Sequence, residues 1–117
     1  MKNAQKCANI INTLLFLLRD VDCRLDSIDK DPIDKGLVHQ NITWMDRYFY
    51  KLNNETLDLG INRSKEKTRN QIQIFIIYCL QAEQLFIKFR KSNNSKHLLD
   101  QCHDKLMDSN NIIKQYL

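Results

Sequence analysis

Apolar residues recur along this chain at intervals of three and four. Cys7, Ile11, Leu14, Leu18, Val21, Leu25 and Ile28 form the first such series. A helix turning about 100° per residue brings them onto one stripe. The spacing predicts a helix over about residues 3–28, with Ile10, Leu15, Phe16 and Leu17 widening the stripe in its first half.

The stretch "DSIDKDPIDKG", residues 26–36, then brings the only Pro and the first Gly. Asp31 followed by Pro32 suits a helix N-cap and first helical position. A second helix is expected from there or from just after Gly36, with Val38, Ile42, Met45, Phe49 and Leu52 as its stripe. "NNETLDLGIN", residues 53–62, reads as a loop around Gly60. Thr68, Ile72, Phe75, Cys79, Ala82, Phe86 and Phe89 keep the same rhythm and predict a third helix over about 63–91. Within it, "QIQIFIIYCL" has the β-branched content of a strand. "KSNNSK" breaks the pattern, and Ser95 is placed to cap a fourth helix carrying Leu99, Cys102, Leu106, Ile113 and Tyr116.

Four amphipathic segments joined by short links predict an all-α fold, an antiparallel four-helix bundle, as one domain over residues 1–117. Two Gly and one Pro leave little material for turns between strands, which agrees. The N-terminus needs separate thought. Lys2 and Lys6 before an apolar run resemble a secretory signal, but Asn9 and Asn12 interrupt the run, which is too short to span a bilayer. The stripe also passes through it unbroken. A structural helix is expected there, in a cytoplasmic protein without membrane contact. The four Cys are then expected as reduced thiols, with Cys7, Cys79 and Cys102 on apolar stripes and Cys23 off its stripe.

Candidate chemistry is sparse. Asp29, Asp31 and Asp34 do not fit a calcium loop, because Ile33 and Gln40 fall where ligands are needed. Cys102 and His103, with distant Cys7 and Cys79, lack zinc-site spacing. No Gly-x-Ser-x-Gly or paired carboxylates stand out, and His39, His97 and His103 are dispersed. No cofactor and no metal are expected. Asn-x-Ser/Thr occurs at Asn41, Asn54 and Asn93, which in an Asn-rich chain reads as coincidence.

Two clusters remain. Trp44, Tyr48, Phe49 and Tyr50 crowd one stretch. Phe49 lies on the stripe, Trp44 and Tyr48 share its border with Leu37, and Tyr50 falls well away, near Arg47. Trp, Tyr and Arg are enriched at binding hot spots, so Leu37, Trp44, Arg47, Tyr48 and Tyr50 form a candidate partner-binding set. The second cluster is basic. Residues 63–91 hold seven Lys/Arg against two Glu, while the whole chain carries only +4. Arg63, Lys65, Lys67 and Arg69 fall in the first turns of a helix, where the macrodipole disfavours cations. An acidic loop such as 26–34, an acidic partner or a phosphate would offset them. A solvated face is the plainest reading of the cluster; where a partner is involved, the mild net charge and the lack of any RNA- or DNA-binding signature place an acidic protein surface ahead of nucleic acid.

"RKSNNSKH" sets Arg90 and His97 six residues apart. This resembles the Arg-x(4–6)-His motif of HEPN-type ribonucleases, which are all-helical domains. That resemblance implies RNA cleavage by Arg90 and His97, although Lys91 stands where the family usually has a polar residue after the Arg. As a whole, the short Lys-, Asn- and Ile-rich chain without catalytic motifs is similar to small immunity proteins and effector antagonists of bacteria. This second resemblance implies a non-enzymatic inhibitor that binds and blocks a toxin, effector or enzyme. A homodimer burying the border of Leu37, Trp44 and Tyr48 is a further expectation.

Overall fold

The structure, a computed structural model, describes residues 2–61, 66–93 and 95–117, apart from the side chains of residues 2, 60, 61 and 66–68. Four helices account for almost all of it: α1 (Lys2–Arg24), α2 (Pro32–Ile61), α3 (Glu66–Lys91) and α4 (Lys96–Ile113). Short 3-10 turns, Leu25–Ser27 and Lys114–Tyr116, follow α1 and α4. The described residues contain no strand. The all-α bundle expected from the spacing is what the chain forms.

The helices pack as a rod of 53 × 22 × 19 Å. α1 lies along α2 and α3 along α4; α1 and α4 close the ring, and α2 touches α3 least. Side-chain pairs fix the antiparallel register of each seam. Between α1 and α2 these are Lys6–Glu55, Asp20–Asn41 and Arg24–Asp34. Between α2 and α3 they are Asp46–Arg90, Phe49–Phe86 and Asn53–Glu83. Between α3 and α4, Tyr78 meets Lys105 and the carbonyl of Ala82 accepts the Cys102 thiol, and Gln71 of α3 meets Tyr116 in the turn just after α4. The four stripes meet inside, with Ile11, Leu14, Met45, Phe49, Phe75, Phe86 and Leu106 almost wholly buried. The signal-like N-terminal run is therefore part of the core.

Local chemistry sets the helix ends. The Asp31 carboxylate accepts the Ile33 N–H at 2.9 Å and its carbonyl accepts the Lys35 N–H at 3.0 Å, so α2 starts at Pro32. Just before it, the Arg24 guanidinium donates to Asp20 at 3.0 Å and to Asp34 at 2.6 Å, and the Ser27 hydroxyl also donates to Asp34. Ser95 is the N-cap residue of α4, but its side chain makes no capping bond. The Ser92 hydroxyl instead accepts the Ser95 N–H at 3.2 Å while donating to the Phe89 carbonyl at 2.7 Å.

Three expectations need correction. The first helix ends at Arg24, followed by the 3-10 turn, and Tyr116 falls beyond α4. Residues 53–61 of the expected loop are instead helical, α2 running on through Gly60 to Ile61, and residue 62 lies outside the described residues. Thr56 and Leu59 continue its buried stripe, and the Thr56 hydroxyl donates to the Asn53 carbonyl at 2.8 Å. A Gly inside a helix costs about 1 kcal/mol, whereas burying one Leu contributes about 1.5–3 kcal/mol, so packing wins. The run at 71–80 is helical as its apolar spacing predicts, despite its strand-like β-branched content, and apolar side chains emerge on both its faces.

Candidate interaction surface

The crowded aromatics of α2 are dealt out to three directions. Phe49 is buried, its ring 5.2 Å from that of Phe86. Trp44 and Tyr48, one turn apart with ring centroids 6.4 Å apart, line the flank facing α1. Tyr50 is 69% exposed. Two residues on from Tyr48, it stands roughly 160° around the helix, on the flank toward α3. Leu37 is half-buried on the Trp44 side. The expected partner-binding set is therefore two faces rather than one.

The α1–α2 flank carries a groove of about 400 Å³ between Thr13, Phe16 and Leu17 of α1 and Gln40, Asn41, Trp44 and Tyr48 of α2. Asn41 donates to Asp20 at 2.6 Å and ties the helices together there. Phe16 was expected to widen the buried stripe, yet it is 72% exposed. At about 100° per residue it stands half a turn from the centre of that stripe, so helical geometry puts it outermost. It forms a ridge. On its other side, a hollow of about 370 Å³ between α1 and α4 is lined by Asn12, Leu15, Arg19, His103, Met107 and Asn110.

Cations cover the outer faces of the rings. The Arg47 guanidinium lies 5.3 Å from the Trp44 centroid and the Lys51 ammonium 4.8 Å from that of Tyr48. Each such contact contributes about 0.5–1 kcal/mol at an exposed site and holds the ring in place. Lys51 also borders a mixed hollow of about 330 Å³ with Lys6, Asn9, Ile10, Asn54 and Glu55. Lys6 approaches Glu55 Oε1 at 3.9 Å, while Glu55 Oε2 is buried with no hydrogen-bond partner among the described residues. An apolar groove thus runs along a single seam toward a mixed one edged by two lysines and a glutamate.

The basic cluster is only partly visible. Arg63 and Lys65 lie outside the described residues, the side chain of Lys67 does too, and Arg69 is exposed. The acidic loop proposed to offset them is engaged elsewhere. Asp26 pairs with Lys96 at 3.1 Å, raising the lysine's pKa, and Asp34 pairs with Arg24. That loop also precedes α2, whereas the basic run follows it, and the 30 residues of α2 span about 45 Å.

Arg90 and His97 have separate partners. Arg90 donates to Asp46 across the α2–α3 seam at 3.0 Å, and a His97 ring nitrogen lies 3.1 Å from the Gln101 amide on α4. No three His, Cys, Asp or Glu among the described residues are placed to share a metal ion. Burial pushes the Cys7 and Cys102 thiols up to about 12, and Cys79 also upward. Cys23 is exposed.

Comparison of the chain with models of protein families, with curated proteins and with solved structures finds no match.

Proposed function

We propose that this chain is a non-enzymatic helical module that binds another protein through its α1–α2 face and blocks the surface it covers. One observation carries the reading: Phe16 and Trp44, 72% and 40% exposed, flank a ready-formed groove on two rigid helices. Large rings held open to water on regular structure lose little conformational freedom on binding. Burying one such ring contributes about 1.5–3 kcal/mol. Arg47 and Lys51 beside Trp44 and Tyr48, with Lys6 further along the seam, favour an acidic partner, whose approach they would steer. The overall similarity to small immunity proteins and effector antagonists supports the blocking role. No catalytic group is needed for it.

The test is affinity capture from the native source with the full chain as bait, followed by binding kinetics on the partner found. Phe16→Ala and Trp44→Ala should each weaken binding by at least about 2 kcal/mol, mainly through faster dissociation. Co-purifying RNA in place of a stoichiometric protein, or a partner bound equally well by both variants, would overturn the proposal.

A further inference from the structure

α3 carries a second apolar row that starts at the core's edge with Ile76 and runs out to the surface. Ile76, Leu80 and Ile87 follow one another at helical spacing on the flank facing α2, and Leu80 and Ile87 are 45% and 40% exposed. α2 answers with Tyr50 and Leu57, 69% and 66% exposed and two turns apart. The register set by Asp46–Arg90 and Asn53–Glu83 places Tyr50 opposite Ile87 and Leu57 opposite Leu80. All four stand roughly 110–130° from their helix's core direction, on the outer lips of the seam. This is also the seam where the helices touch least. Its two acids are spoken for, Asp46 by Arg90 and Glu83 by Asn53. What remains along the α3 lip is cationic: Arg69 at one end and Lys91 at the other, both exposed.

We infer that the α2–α3 seam is a docking groove for an amphipathic helix with carboxylates flanking its apolar stripe. In the same register α2 lines the groove from the Lys91 end only as far as Ile61, opposite about residue 75, and Arg69 stands on α3 beyond it. Arg69 and Lys91 lie 22 residues apart on α3, about 33 Å, which sets the length of the partner helix at about six turns. Its apolar residues, spaced three and four apart, fill the trough between Tyr50–Ile87 and Leu57–Leu80, and its acidic ends meet Arg69 and Lys91. A second copy of this chain fits poorly. Seam against seam, either orientation brings cation to cation. The acidic row on α4, Asp100, Asp104 and Asp108, has a single exposed apolar neighbour, Met107, beside polar His97, Gln101 and Asn111, so it offers no stripe. The groove lies on the far side of α2 from the Phe16–Trp44 face and is independent of it.

A display library of 22-residue helices, with leucines fixed at alternating spacings of three and four and all flanking positions randomised, is selected against the full chain. Enrichment of Asp and Glu at the flanks is expected. A selected peptide should lose at least about fivefold in affinity on Leu57→Ser or Leu80→Ser and be indifferent to Phe16→Ala. The double reversal Arg69→Glu, Lys91→Glu should turn selection toward basic flanks. These four positions are exposed, and circular dichroism verifies each fold. No enrichment, flanks of no consistent charge, or sensitivity to Phe16→Ala instead of Leu57→Ser overturns the inference. So does a dimer in sedimentation that Leu57→Ser dissociates, or binding to phosphatidylserine vesicles that the same variant abolishes.

Discussion

The side-chain amide of Asn53 on α2 donates to both carboxylate oxygens of Glu83 on α3, at 3.1 and 3.0 Å. Both residues are half-buried at the thinnest seam of the bundle. Asn53→Ala leaves the carboxylate facing the seam without its donor. A hydrogen bond to a charged group contributes about 1.5–3 kcal/mol when buried, and partial solvation brings this pair to about 1 kcal/mol. Adding Glu83→Ala should recover part of the loss. Urea denaturation of the two single variants and the double variant measures the coupling directly.

Asp34 gives the α1–α2 turn a pH dependence. The Ser27 hydroxyl first, and then Arg24, hold its carboxyl below the usual carboxylate range. A carboxyl whose pKa is lower in the folded state contributes stability above its unfolded pKa and loses it as pH falls through the folded value. Asp34→Asn should therefore flatten the loss of stability on acidification. Denaturation midpoints at neutral pH and near about pH 3 show it. An unchanged slope would mean that the turn does not depend on the ionised carboxyl.

The cysteines should separate into one and three. Cys23 is exposed, while Cys7, Cys79 and Cys102 are buried. Burial also raises the pKa of those three, which suppresses their thiolates at neutral pH. Thiol titration of the native protein should find one fast group, and Cys23→Ser should remove it. The rest should react only on denaturation.

Gly36 lies in the second turn of α2, and a methyl group there would meet nothing within 4 Å. Gly36→Ala restricts the unfolded chain without a clash in the folded one. A stabilisation of about 0.5–1 kcal/mol is expected, read as a higher thermal midpoint.

The core was legible because burial and helical geometry share one period. Ile11, Leu14, Met45, Phe75, Phe86 and Leu106 were all on stripes read from spacing, and all are buried. The 53–62 stretch misled because Asn and Gly are weak helix formers, and propensity says nothing of Leu59 reaching the core or Asn53 reaching Glu83. The run at 71–80 has a strand's β-branched content, yet its three-and-four spacing already predicts a helix; what spacing cannot tell is which of its two apolar faces is buried. Phe16 was open to discovery: its position opposite the stripe could have marked it as exposed. The pairing of Tyr50 with Ile87 was not, since it depends on which helices adjoin and in what register.

α1 meets α2 and α3 meets α4 across turns of a few residues, so most side chains find their neighbours nearby in the sequence. Little loop-closure entropy is lost before such contacts form, and chains of this kind fold in microseconds to milliseconds. The meeting of α1 with α4 joins the parts of the chain that lie furthest apart. Each hairpin can gather its own stripe early, and the step left for last is the closing of one hairpin upon the other.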